Sequence, residues 1–434
     1  MICLQRCKGD RPHHADAALV AWAIDGGATM PGMSSPGSPA FHTEQPFAVV
    51  GRLLGGEVAS QAPATLVVKQ GRVAAADEAT LAPRLRAAYI AAGYVDLQVN
   101  GGFEHEVGAD PTALRALADR LPSTGVTAFL PTLVSLPEDA YSACFAAVDA
   151  EMAAQARGER PGAARILGLH LEGPLLAPSR AGAHERAAIE AASAELLRRL
   201  ADPKRVRLVT LAPEREGVLA LIAELRARGI VVSLGHTDAS FETFTAGVDA
   251  GASMTTHVWN AMSPLLHRAP GATGAALSDD RVIAMLIPDG VHTHWAAFRV
   301  AARAKGPGRL ALVTDAISAA GVAAGTPGLA LAGRAVIVDA TSARLSDGTL
   351  AGSTLTMDAA VRNAIQFGGL APDDAVDAAT HTPLRALGTE TQGGLTVGGP
   401  ADLVLLDADF TVRATIVGGK LAYVKGGDVD ALRA

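Results

Sequence analysis

Apolar and polar positions alternate at both ends of the chain and run continuously through its middle, and this contrast sets the expected architecture. From Phe47 to Ala92, short apolar runs separated by turns (AVVGRLLGGE, TLVVKQGRVAAAD) predict a small antiparallel β-module. The C-terminal stretch DLVLLDADFTVRATIVGGKLAYVKGG has the same style, with Gly-Gly turns between alternating runs. Residues 46–92 and 390–434 are therefore expected to build one small β-sandwich domain, with residues 93–389 inserted between its halves. The insert carries eight apolar runs of the kind that form buried strands: GYVDLQVN, VTAFLPTLV, ARILGLHLEG, VRLVTLAPE, IVVSLGHTD, ASMTTHVWN, VIAMLIPDG and LALVTDAIS. Helical patterns such as PTALRALADRL, ERAAIEAASAELLRRLA and GVLALIAELRARG follow several of them. Eight strands with helical crossovers predict an α/β fold, a (β/α)8 TIM-like barrel. Gln98, Asn100, Glu172, His236, His257, Asp289 and Asp315 all fall at the C-terminal ends of these runs, the face on which barrel active sites are built.

Composition narrows the partners. Of 434 residues, 49% are hydrophobic, enough for a sizeable core. Aromatics are only 4% and the net charge is −7 with no basic run, which argues against nucleic acid and against an anionic membrane surface. No apolar run approaches the ~18 residues of a membrane helix. The apolar stretch from Ala15 to Ile24, beside Asp16 and Asp25, lacks the basic region and cleavage pattern of a signal peptide. Cys3 and Cys7 lie near the N-terminus and leave Cys144 alone in the body, so no disulfide framework is expected there and a reducing cytoplasm fits. Residues 1–45, with RPHHAD and MPGMSSPGSPAF, are unlike the rest. They are expected to be a disordered extension or a start-site artefact, with Met30 or Met33 as alternative starts, and His13 and His14 to belong to a solvated tail.

The chemistry lies at the strand ends. Glu172 ends HLEGP, His236 lies in SLGHTD and His257 in TTHVWNAM. Their spacing is too wide for a local metal motif, but the ends of strands three, five and six converge at one barrel mouth. One carboxylate and two imidazoles form the three-ligand set of a catalytic zinc, with a position left for water. The competing reading makes each histidine a hydrogen-bonded core residue. His170, two before Glu172, is expected to support the set from behind. Asp315 ends LVTDAIS, where a carboxylate can take a proton from water and pass it to a leaving group; the alternative is an N-cap for a helix over ISAAG. His184 lies in the loop SRAGAHE, and Asn260, Ala261, Met262, Arg268 and His292 lie in other rim loops. Arg and His suit an anionic group, although surface polar residues would look the same. TLAGSTLTM places a glycine-containing turn at the entry to a helix, where substrate atoms can be cradled. GYVDLQVN poses a question of its own. Gln98 and Asn100 are two apart in a strand and point the same way, and buried amides without partners are costly.

HLEGP, GHTDA, TTHVWNAM followed by HRAPG, PDGVH, LVTDAISAAG, LAGSTLTM and GGLTVGGPADLVLLD together resemble the N-acetylglucosamine-6-phosphate deacetylases of the amidohydrolase superfamily, over residues 47 to about 425. The resemblance implies a metal-dependent barrel that hydrolyses the acetamide of a sugar phosphate. It implies Glu172, His236 and His257 as metal ligands, Asp315 as general base and then general acid, and His184 as the group that orients or polarises the acetyl carbonyl. Asn260, Ala261, Arg268 and His292 would hold the sugar phosphate, with Ala183, Leu350, Ala351 and Gly352 also against the substrate. It implies dimers in which the residues matching Arg268 and His292 reach the neighbour's site. Many amidohydrolases carry His-x-His at the end of strand one for a second metal; here the positions are Gln98 and Asn100. Amides bind zinc poorly beside imidazole, so one divalent metal per chain is expected, as in a mononuclear subclass. The ligand set suits Zn2+, with Fe2+, Co2+ or Mn2+ as alternatives. The amides are expected to fill the vacant site and bond neighbours or water. His105 is expected to stay in its loop, and His294 adds an imidazole after His292. The open alternatives are an N-acetylgalactosamine 6-phosphate substrate, another amidohydrolase reaction, or a non-catalytic sugar-phosphate sensor.

Overall fold

In the computed structural model, which describes residues 46–56, 61–74, 84–339, 341–389 and 395–433, all eight predicted barrel strands are present. The extension over residues 1–45 lies outside the described residues. The strands run Tyr94–Val99, Val126–Leu133, Leu169–Glu172, Val206–Leu211, Val231–Leu234, Met254–Thr255, Ile283–Leu286 and Leu310–Leu312. They pair in parallel in chain order. The ring closes where Val99 bridges Ala316 in parallel and the Asn100 N–H donates to the Ala316 carbonyl at 2.7 Å. Continuous apolar runs make these strands because both faces are covered, by side chains inside the barrel and by helices outside.

The third run is interrupted. Arg165–Ile166 pairs with the second strand before Leu169–Glu172 resumes, and Gly168 turns the chain at φ +140°. A Cβ there would sit 2.1 Å from Arg207 Cγ, so only glycine fits the offset. The helical pattern ERAAIEAASAELLRRLA, read as one helix, folds as two, Arg186–Ala191 and Ala194–Leu200. Ser193 explains the break: its hydroxyl accepts from the Leu196 N–H at 3.1 Å and starts a new helix instead of continuing the old one.

Both chain ends build a separate seven-stranded sheet. Its order is Lys420–Val424, Val412–Val417, Leu403–Leu406, Arg84–Ala92, Phe47–Leu54, Pro63–Lys69 and Arg72–Ala74. It is antiparallel except for one pair, Phe47–Leu54 with Arg84–Ala92, which is parallel. The hairpin of Pro63–Lys69 and Arg72–Ala74 takes one edge of the first strand, so the next strand pairs on its other side in the same direction. Phe47, Leu85, Ile90, Leu403 and Ile416 form the core of this sheet. Arg84–Ala92 runs into the first barrel strand through Gly93, where a Cβ would meet Thr127 Oγ1 at 2.1 Å. Gly55 and Gly56 then tie the sheet to a barrel helix, donating to Asp373 and Asp377 at 3.0 and 2.7 Å.

Between the eighth strand and the helix Met357–Gln366, two short hairpins fold over the barrel mouth around a small cluster of their own, including Leu329, Leu331, Leu345 and Ala351, which packs on Val134 and Ile317. This cap positions one wall of the site.

Candidate active site

Glu172 is the last residue of the third strand, and His236 and His257 follow the fifth and sixth strands by two residues. His236, His257 and Asp315 all hold left-handed backbone, at φ +46°, +27° and +50°. Non-glycine residues adopt this only where the surroundings enforce it, and such residues cluster at functional sites. Glu172 is fully enclosed. Its Oε1 lies 3.0 Å from His257 Nε2 and 3.3 Å from His236 Nε2. One ligand atom from each of the three residues falls within 4.8 Å of the others.

The hydrogen bonds test whether a cation fits. His236 Nδ1 is 2.8 Å from the Arg180 carbonyl, which can only accept, so the proton is on Nδ1. The neutral ring then turns a bare Nε2 lone pair toward the Glu172 carboxylate. Two lone pairs face each other, and a proton or a cation between them satisfies both. A carbonyl that fixes the outer nitrogen of a histidine is also the usual support of a metal ligand. The donor set therefore fits a divalent cation.

Gln98 and Asn100 face the two carboxylates. Gln98 Nε2 donates to Glu172 Oε1 at 2.9 Å, and Asn100 Nδ2 donates to Asp315 Oδ1 at 2.7 Å. The amides thus occupy the strand-one positions as neutral donors. Asp315 is half-buried at the cavity wall, and its pKa is pushed up to about 6, first by desolvation and then by the charge of Glu172. Glu172 moves the other way: burial opposes ionisation, but hydrogen bonds from imidazoles, that of His184 first, outweigh it and hold the carboxyl well below its usual range. Two carboxyls with pKa values driven apart are what a permanent anion and a proton shuttle require.

His184 Nδ1 accepts from the Ser135 N–H at 3.0 Å, with Ser135 Oγ at 2.9 Å. The neutral ring therefore carries its proton on Nε2, which lies 3.6 Å from Glu172 Oε2 on the cavity side. Burial lowers its pKa to about 4, keeping it a neutral donor. His170 sits beneath the site rather than in it. Its Nδ1 donates to the Leu97 carbonyl at 3.0 Å and its Nε2 accepts from Thr210 Oγ1 at 2.8 Å, inside the barrel. His105 stays in a hairpin, and His294 caps the helix Trp295–Lys305 by accepting from the Ala296 N–H at 3.2 Å.

These groups open into a cavity of ≈ 340 Å³. Of the residues expected to touch substrate, Ala183, Asn260, Ala261, His292, Leu350 and Gly352 line it together with His184. Ala351 is enclosed behind this wall, its N–H donating to the Ala343 carbonyl at 3.0 Å. Gly352 is held at φ +60°, where a Cβ would meet Ile317 Cγ2 at 2.4 Å and the Asp315 carbonyl at 2.8 Å. His292 belongs to the wall of its own chain's cavity, with Nδ1 2.6 Å from Asp289 Oδ2. Arg268 is not brought in: it is exposed, on the same loop as exposed Leu265 and Leu266. Three contributors escaped the sequence reading. Ser135 orients His184; Arg180, paired with Asp238 at 2.6 Å, lines the cavity; Leu331 arrives from the cap. Only the basic residue in PSRAG, just before His184, carried any signal.

Comparison with known proteins matches residues 89–422 to the amidohydrolase family. The chain is 36% identical over 336 residues to the N-acetylglucosamine-6-phosphate deacetylase of Bacillus subtilis (strain 168), covering 76% of this chain and 84% of that protein. It is 38% identical over 333 residues to the N-acetylgalactosamine-6-phosphate deacetylase of Escherichia coli O157:H7, covering 76% and 86%. Among solved structures, an aspartate-to-alanine variant of the Mycobacterium smegmatis N-acetyl-D-glucosamine-6-phosphate deacetylase, in complex with N-acetyl-D-glucosamine-6-phosphate, matches at TM-score 0.79 and 34% identity, over 87% of this chain and all of that one.

Proposed function

The chain belongs to the amidohydrolase family, among its N-acetylglucosamine-6-phosphate deacetylases, and from that premise we propose that its site hydrolyses N-acetyl-D-glucosamine 6-phosphate to D-glucosamine 6-phosphate and acetate. The observation that carries the reading is the pairing of Glu172, ringed by imidazoles, with Asp315, a carboxyl of raised pKa, in one cavity.

Glu172, His236 and His257 would hold one divalent cation, Zn2+ by their chemistry, with Fe2+, Co2+ or Mn2+ able to take the same ligands. Such a cation supplies Lewis-acid polarisation and a water acidic enough to be deprotonated near neutral pH. Asp315 accepts the proton of the attacking water as a C–O bond forms at the acetamide carbon. The His184 Nε2–H donates to the oxyanion that develops there. Asp315 then returns the proton to the departing nitrogen, the C–N bond breaks, and acetate and the amine leave. Gln98 keeps Glu172 in place, and Asn100 holds Asp315 ionised until it is used. Asn260, Ala261 and His292 face the sugar phosphate, with Leu350 and Gly352 on its opposite side. Arg268 is assigned to the phosphate of a neighbouring subunit's substrate, because it is exposed beside two exposed leucines and outside its own cavity. This makes a homodimer the working form. A reducing cytoplasm suits the buried free thiol of Cys144.

The Escherichia coli relative named for the galactosamine epimer supports a second reading of the substrate. Acetate release should be measured from both epimers and from unphosphorylated N-acetylglucosamine, with metal content determined on the same protein. Strong preference for phosphorylated N-acetylglucosamine, with about one metal per chain, is expected. Release from the galactosamine epimer alone would replace the substrate. Tight binding without acetate release would make the protein a sensor.

A further inference from the structure

Behind the second barrel strand lies another cavity, of ≈ 470 Å³, that shares Asn100, Val134 and Leu331 with the catalytic cavity. Its inner walls are mostly apolar, from Val107, Leu133, Leu136 and the buried Cys144, with Thr132 and Asn100 as the buried polar exceptions. Its outer end lies between Ala113 and the exposed Ala143, on the helices Pro111–Arg120 and Tyr141–Ala156, with Glu106 and Asp110 among its lining residues. Nothing in the deacetylation just described uses this space.

We infer that this second cavity receives the alkyl chain of N-acyl groups longer than acetyl, so that the site takes N-acyl hexosamine 6-phosphates as a class. The inference rests on the proposed function and on the geometry of the ring. Asn260, Ala261 and His292, the residues facing the sugar phosphate, follow strands six and seven. The strands pair in chain order and the ring closes from eight to one, so strand two lies opposite strand six. A substrate whose carbonyl lies among Glu172, His236, His257 and Asp315, with its sugar under strands six and seven, directs its acyl substituent at strands one and two. Asn100 and Val134 stand there, and with Leu331 they line both cavities. Apolar walls favour methylenes, each contributing about fourfold in binding when buried. The Glu106 and Asp110 carboxylates disfavour acyl chains that end in a negative charge. The reaction is unchanged: water adds, the C–N bond breaks, and the longer carboxylate leaves with the same amine.

The test measures release of glucosamine 6-phosphate from its N-acetyl and N-butyryl derivatives, by wild type, Ala143→Phe and Cys144→Ala. Wild type is expected to keep kcat/KM for the butyryl substrate within about tenfold of acetyl, since an apolar pocket discriminates weakly between such chains. Ala143→Phe, which places a ring at the outer end, is expected to cut the butyryl value by about tenfold or more while moving acetyl by less than about twofold. Cys144→Ala, which removes a buried sulfur, is expected to raise the butyryl-to-acetyl ratio, and it serves if the phenylalanine variant does not fold. Acetyl turnover with butyryl about a thousandfold slower overturns the pocket and leaves the deacetylase standing. Variants that change both substrates in proportion, or neither, also overturn it. No turnover of either substrate removes the proposed function, and this inference with it.

Discussion

Asn100→Ala removes one hydrogen bond, from Asn100 Nδ2 to Asp315 Oδ1 at 2.7 Å, and with it the only hydrogen-bonded support the neutral amide gives that carboxylate. A donor to an ionised oxygen favours the charged form, so its loss raises the Asp315 pKa above the value of about 6 that burial and Glu172 already impose. Hydrogen bonds to charged groups are worth about 1.5–3 kcal/mol, and water entering the vacated space recovers part of this. At about 1.4 kcal/mol per pKa unit, the net shift is about one unit upward. Asp315 must be ionised to take a proton, so the acid limb of kcat/KM moves to higher pH by that amount. A bound cation displaces the limbs of wild type and variant together, and the difference between them isolates the amide. Steady-state assays from pH 5 to 9 should show a loss of about tenfold below the limb, shrinking to about twofold on the alkaline plateau. Two parallel profiles, displaced vertically with a common limb, would refute the reasoning: Asn100 would then act by shape alone, or Asp315 would not be the titrating base.

Asp315→Asn should retain its metal, by elemental analysis, and lose about 10²–10⁴-fold in kcat; turnover like wild type rules out Asp315 as the base. Removing the cation with a chelator should abolish acetate release, and about one equivalent per chain should restore it; recovery only after a second equivalent would contradict the Gln98 and Asn100 reading. Gly352→Ala places a Cβ 2.4 Å from Ile317 Cγ2 at φ +60°, and should cost on the order of 3 kcal/mol in urea unfolding and disturb Asp315 through its carbonyl; an unchanged midpoint would refute the strain. Asp96, buried under the site and bonded to Thr314 at 2.6 Å, has its pKa pushed up to about 7, chiefly by burial. The folded state therefore keeps a proton that the unfolded chain has lost above about pH 4, and stability falls as pH rises from there to 7. Asp96→Asn should be more stable than wild type at pH 8 and lose that advantage near pH 5; a gap independent of pH in urea titrations counts against it.

The barrel was legible because each strand is buried on both faces and therefore reads as a continuous apolar run, and all eight runs fold as strands. That Glu172, His236, His257 and Asp315 gather at one barrel mouth was legible for a related reason: each closes an apolar run, and the C-terminal ends of parallel strands converge. Local competition was harder to read. Ser193 looks like one more polar position in a long helix until its hydroxyl is seen capping a second one. The parallel pair in the small sheet was hidden because alternation records which face is buried, not the direction of the neighbouring strand. Ser135 and Arg180 were missed because each acts through geometry set by another element, one on the His184 ring and the other through a backbone carbonyl on His236.

By itself the sequence determined the strand count, the barrel face on which the ionisable groups gather and which groups those are, since periodicity and residue type are local properties. The tertiary structure alone decided what those groups do to one another. The amide of Asn100 meets the Asp315 carboxylate across 215 residues of chain. The tautomers of His184 and His236 follow from which backbone groups the fold presents to their outer nitrogens. Arg268 is left outside, and a second apolar chamber appears behind strand two. Contacts, burial and field all depend on distances between residues remote in sequence, and closure of the barrel fixes those distances at once.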